Sequence, residues 1–315
     1  MQEGSRKAII AAFFANLGIA IAKFVGFALT GAASMLAEAI HSVADSSNQG
    51  LLLLGGKRAR KAADLEHPFG YGRERYFWAF VVALVLFSLG GMFALYEGVE
   101  KRRHPHELES AIVAIVILAL AIVFETFSFR TAVKESNHVR GEASWWQFIR
   151  HSKSPELPVV LLEDLGALVG LVLAMGGVIV AEFTGNPRWD AVGSVSIGLL
   201  LLVIAIILAI EMKGLLIGES ASPEMQGKIR KAMEGDDAVQ RVIHMRTQHM
   251  GPDELLVGAK LELDGHLGFA EVATAVNRIE KSVRDACPQA RMIYLEPDVA
   301  RPEGAGEPEG AATAV

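Results

Sequence analysis

Several ionisable side chains stand inside otherwise apolar segments of this sequence, and each needs a physical reason to be there. A charged group at the centre of a membrane span costs roughly 2.5–3.5 kcal/mol on insertion scales, so a charge kept there points to function. His41 and Asp45 are four residues apart, a spacing that stacks two side chains on one face of a helix. A neutral imidazole and a carboxylate so placed make half of a tetrahedral zinc shell. A later apolar segment carries Glu163 and Asp164, and Asp164 supplies a third ligand if the two helices face each other. The plainer reading is that His41 and Asp45 hydrogen-bond each other and join two helices. The rule that intramembrane ionisable residues are functional favours the metal.

The elements that must position these groups follow from composition. The chain has 315 residues, of which 51% are hydrophobic and only 7% aromatic, and its mean hydropathy is +0.34. Aliphatic residues, Ala and Gly dominate, as they do where membrane helices pack closely. Segments near 8–29, 32–54, 77–98, 111–129, 158–181 and 190–212 are each long and apolar enough to cross a bilayer, which takes about 20 helical residues. Thr30-Gly31 makes a tight turn between the first two, and Asn186-Pro187 breaks the chain between the last two. Arg6 and Lys7 precede the first apolar run, which lacks a small-residue cleavage site and reads as a retained helix. Basic residues crowd the loops 57–75 and 130–153, whereas Lys101, Arg102 and Arg103 dissent on the other side. With an even number of spans, the positive-inside rule puts both termini in the cytoplasm of a multi-pass protein of the cell (inner) membrane.

After residue 213 the charged residues become frequent. Ser222 to Glu234 reads as a helix with Ser222 as N-cap and Pro223 at its first position. Val239 to Gln248 and Leu255 to Leu263 alternate as strands, Phe269 to Ala286 is an amphipathic helix, and Met292 to Leu295 is a last short strand. The expected architecture is therefore a six-helix transmembrane domain (1–212), a small cytosolic α+β domain in the order α-β-β-α-β (213–300) and a disordered tail (301–315). The net charge of −6 speaks against nucleic acid as a partner. The single cysteine, Cys287, makes neither an intrachain disulfide nor a thiolate zinc site.

The stretch from Ser34 to Gln49, SMLAEAIHSVADSSNQ, resembles the second span of the cation diffusion facilitators, and His67 to Arg73, HPFGYGR, resembles the start of their third. The loop ending Lys153-Ser154-Pro155-Glu156, followed by Leu161-Leu162-Glu163-Asp164, resembles the branch that contains the ninth animal zinc transporter. The resemblance implies a proton-coupled exporter of a divalent metal, a homodimer, with no cofactor and the metal as cargo. It implies a main site at His41, Asp45 and Asp164. Val160 stands where the family usually has a His or Asp, four residues before Asp164. The shell is then short of a ligand, and Glu163, about 100° around the helix from Asp164, Gln49 or a water are candidates to complete it. An oxygen-rich shell shifts preference toward manganese or ferrous iron, with zinc still first. Asp64 and His67 match a second family site, with Tyr71 in place of a second His. His244 matches a ligand of the cytosolic domain, but Lys260 stands where another His is usual. His249 and His266 read as surface residues. Glu125, deep in the fourth segment, is either a proton relay or half of a buried pair, and Lys23 snorkels or pairs with an acid such as Glu38.

The expected mechanism is alternating access, in which protonation of His41 competes with the metal outside and releases it. Two other classes stay open at this point. One is a membrane regulator that binds metal without moving it. The other is an intramembrane hydrolase using Asp45 and Asp164, which no nucleophile motif supports; the chain reads as a transporter and not as an enzyme.

Overall fold

The computed structural model describes residues 3–104 and 111–298, the side chains of 3–16 and of Ala33, Ser34 and Ala37 excepted. The side chains of Arg6 and Lys7 and the expected disordered tail lie outside the described residues. The chain divides into two compact units, Met1–Ile217 and Gly218–Val315.

The first unit is a bundle of long helices. They are α1 (Glu3–Thr30), α2 (Ala33–Arg58), α3 (Glu74–Val85) continued by a π-helical turn (Leu86–Met92) into α4 (Phe93–Arg103), α5 (Ala111–Arg140), the short α6 (Trp145–His151), α7 (Glu156–Thr184) and α8 (Arg188–Ile217). Among the described residues, Glu74–Arg103, Ala111–Arg140, Glu156–Thr184 and Arg188–Ile217 are long and apolar enough to cross a membrane. Glu38, His41, Asp45, Asn48 and Gln49 make α2 more polar, yet its ends lie at opposite ends of the third span. At one end Gly31, which takes the left-handed φ of +63° that the α1–α2 turn needs, accepts a hydrogen bond from Lys101 Nζ at 2.8 Å. At the other, Gly55 packs so closely on Trp78 that an added Cβ would lie 2.8 Å from the tryptophan Cβ. Lys101, a dissenting cation in the sequence, is thus buried at 7% exposure and holds a backbone carbonyl.

Small residues set the helix spacing. Gly98 and Gly198 bring α4 and α8 so close that a Cβ at Gly198 would meet Leu95 N at 2.8 Å and Gly91 O at 2.9 Å. Gly90 and Gly91 fall in the π-helical turn. Leu171, Ile197, Leu201 and Leu208 lead an apolar core shared by α7 and α8. The observed helices run beyond the expected spans because their polar end turns continue helical; α8 ends at Ile217 rather than 212.

The second unit has the expected order: α9 (Pro223–Glu234), β1 (Val239–Gly251), β2 (Glu254–Leu263), α10 (Phe269–Ala286) and β3 (Ala290–Asp298). Ser222 Oγ accepts from Met225 N at 3.3 Å and caps α9. The sheet order is β1-β2-β3, with β1 antiparallel and β3 parallel to β2. Alternate residues Leu255, Val257, Ala259 and Leu261 of β2 are buried with Ile229 and Met233 of α9 and Ile279 and Val283 of α10, as the two-residue strand period requires.

Candidate metal site

His41 and Asp45 lie on α2 as the spacing requires. His41 is fully buried and Asp45 is 8% exposed, and His41 Nδ1 is 3.5 Å from Asp45 Oδ1. Among the described residues neither ring nitrogen nor Asp45 Oδ1 has a hydrogen-bond partner. The π-helical turn comes against this pair: a methyl at Gly90 would lie 3.8 Å from His41 Nδ1. The carboxyls of Glu163, Glu125 and Asp164 are near enough to act on Asp45 electrostatically.

The acids of α7 face different neighbours. Glu163 Oε1 accepts a hydrogen bond from Asn48 Nδ2 of α2, whereas Asp164 Oδ2 accepts one from Ser128 Oγ of α5 at 2.8 Å. The 100° step between consecutive helical residues is the cause. In this arrangement His41, Asp45 and Asp164 do not converge; among the described residues no three His, Cys, Asp or Glu side chains form a group able to hold one ion. What joins α2 to α7 is Asn48 with Glu163. Asn48 had a signal in the sequence, since it lies three residues after Asp45 on the same face. Ser128 had none, because its role depends on how α5 packs on α7. Gln49 Oε1 is buried without a hydrogen-bond partner among the described residues, and Glu125 is buried at 6% exposure.

Val160 has a packing role. It sits against a small apolar cluster of Ala132, Phe148 and Leu161, beside Phe129, Val133 and Leu157. Lys23 does not snorkel. It is fully buried, with Nζ 2.6 Å from Ser42 Oγ and 3.2 Å from Glu38 Oε2.

The weaker sites are occupied by the protein's own groups. In the loop before α3, Asp64 accepts from Lys61 Nζ at 2.8 Å, from the Tyr71 hydroxyl at 2.8 Å and from the His67 amide at 2.8 Å. The Lys61 and Tyr71 bonds, and then the His67 amide, hold its carboxyl well below the usual range. The His67 ring lies 4.3 Å from that of Tyr71. His244 is exposed and pairs across the sheet with Lys260. Lys260 binds Glu296 at 2.9 Å and Asp298 at 3.0 Å, bonds that raise its pKa. His266 is exposed as expected, but His249 is not: it is buried at 2% exposure. Its strand runs on to Gly251 and places it opposite the buried Leu255, on the same face of the sheet.

Residues 9–217 match the cation efflux transmembrane domain. The chain belongs to the cation efflux family. The match ends where α8 and the first unit end, at Ile217. Within the family, the chain is 32% identical over 268 residues to the mitochondrial proton-coupled zinc antiporter SLC30A9 of Xenopus laevis, covering 84% of this chain and 48% of the relative. It is 28% identical to metal tolerance protein C4 of Arabidopsis thaliana, over 84% of this chain and 58% of that one. The chain thus spans about half the length of the curated relatives it matches. A solved MamM-CTD structure aligns with 25% of this chain and 93% of its own at 17% identity, with a TM-score of 0.24.

Proposed function

We propose that this protein exports a divalent metal cation, zinc first, across the cell (inner) membrane by alternating access, with protons moving the other way. The observation that carries the reading is the buried, unpartnered donor set on α2. Both nitrogens of His41 and one oxygen of Asp45 are withdrawn from water without a hydrogen bond among the described residues. A buried polar atom left unmatched costs about 1–3 kcal/mol, and an incoming cation removes that penalty. Asp164 completes the proposed ligand set after α7 and α2 shift, when its bond to Ser128 gives way. Glu163, Gln49 and Glu125 are auxiliary ligands or proton carriers. Ligands must lose protons to bind metal, so acid on the far side favours release. The family setting supports a homodimer, and the basic residues of the loops 57–75 and 130–153 support both termini in the cytoplasm. Membership in the family and the zinc antiporter name of its Xenopus relative support zinc over manganese or iron, and transport over a regulator that only binds metal.

The test is metal flux into vesicles holding the purified protein, across zinc, manganese and iron, with and without a pH gradient. Zinc flux driven by the gradient is expected. Asp45→Ala and Asp164→Ala should each abolish it while leaving the melting temperature in detergent nearly unchanged. Wild-type flux in either variant removes that residue from the site.

A further inference from the structure

The transport step uses the acids of α2 and α7 but leaves one charge beside them unexplained. Lys23 sits on α1, fully buried, and its ammonium is closer to Ser42 Oγ, at 2.6 Å, than to Glu38 Oε2, at 3.2 Å. Glu38 is a poor match for a merely structural ion pair. Among the described residues its second oxygen has no hydrogen-bond partner, and it lies in a notch over α7, where a Cβ on Gly170 would come within 2.5 Å of it. Lys23 also acts electrostatically on His41, Asp45 and Glu125.

In the transport reading a divalent ion brings two positive charges among helices that carry the buried carboxyls Glu38, Asp45, Glu125, Glu163 and Asp164, and takes them away again. Carboxylates left bare in a low-dielectric interior are strongly unfavourable. Protons offset some of that charge, and a cation fixed in the wall offsets more of it in every state. We propose that Lys23 is the built-in counter-charge of the metal-free transporter, which, together with the returning protons, lets the protein reset after the metal has left. This rests on the transport reading above, and it assigns Lys23 a positioning role: it binds no metal and acts through the carboxyls.

The two half-cycles separate the idea from simple structural support. Exchange of labelled zinc for unlabelled zinc at equal pH needs no metal-free return, whereas net uptake driven by a pH gradient does. In vesicles, Lys23→Gln should keep exchange close to wild type and slow net uptake on the order of tenfold or more, the scale expected for losing a buried charge partner. Lys23→Arg, which keeps the cation, should retain net uptake. The double variant Lys23→Gln/Glu38→Gln removes the ion pair without leaving an unmatched acid. It restores the charge balance of the metal-free site and should recover net uptake, with exchange intact. Net uptake at the wild-type rate in Lys23→Gln, no recovery of it in the double variant, or equal loss of both modes in Lys23→Gln would each overturn the proposal. Wild-type protein that moves no zinc in either mode overturns the transport reading instead.

Discussion

Neighbouring residues on a helix serve different partners, and the acids of α7 show why residue type alone under-determines a site. His41 and Asp45 were legible because both lie on one helix, where the 3.6-residue period settles who shares a face. Asp164 was legible as an acid out of place, but its present partner Ser128 depends on the packing of α5 against α7, which no local pattern carries. Val160 was legible only as a departure, and its cluster with Phe129, Val133 and Phe148 supplies the reason. An imidazole there would enter apolar surroundings. Val160→His should therefore lower stability by about 2 kcal/mol, the scale of burying an unmatched polar group, read as a lower melting temperature in detergent. An unchanged melting temperature would mean that the new ring reaches a polar neighbour. A parallel gain in zinc over manganese transport would then identify that neighbour as the metal site.

At the scale of elements, apolar length and turn residues made most of the bundle legible, and two-residue alternation did the same for the sheet. The short α6 was not, because seven residues show too little periodicity. Its signal was the capping box in which Ser144 and Gln147 satisfy each other's backbone. The π-helical turn left only its glycines as a trace. The glycines themselves differ sharply in consequence. A methyl at Gly198 meets backbone atoms of α4 and of the π-helical turn, while one at Gly176 meets nothing within 4 Å among the described residues. Gly198→Ala should destabilise by about 1–3 kcal/mol and Gly176→Ala should be tolerated; equal melting temperatures for the two would show that α4 and α8 can separate freely. In the second unit, Arg278 donates to both oxygens of Asp236 at 2.7 Å and ties α10 to the turn before β1. Arg278 holds the Asp236 carboxyl below its ordinary range. A depressed carboxyl stabilises fully above its unfolded pKa, near 3.9, and that stability is lost as pH falls through the lower folded value. Amide exchange in α10 should therefore be faster in Arg278→Ala than in wild type at pH 5 to 7, and the gap should close on acidification below about pH 4. A gap that persists at low pH would assign the effect to packing of the arginine stem.

For the molecule as a whole, the open question is whether α2 crosses, since its polar face sets it apart from the four plainly apolar spans. Two contacts argue that it does. Lys101 holds Gly31 at the far end of α4, and Gly55 lies on Trp78 near the start of α3. A helix of 26 residues rises about 39 Å, enough to pass the roughly 30 Å hydrocarbon core. Lys101 also ceases to count against the positive-inside rule, because its charge is committed to a carbonyl rather than to an outer loop. The proposed topology then places Arg60, Glu142 and Lys281 in the cytoplasm and Asn186 outside. In a Cys287→Ser background, whose native thiol is buried, a single cysteine at each of these exposed positions can be probed with an impermeant maleimide. Asn186→Cys should label in intact cells; Arg60→Cys, Glu142→Cys and Lys281→Cys should label only after permeabilisation. The reverse pattern would invert the protein, and with it the direction of metal movement. Labelling of Arg60→Cys from outside while Glu142→Cys stays protected would mean that the α2–α3 loop lies on the other face. His41 and Asp45 would then sit on a helix that does not cross as proposed, and the alternating-access scheme would lose the span that carries its ligands.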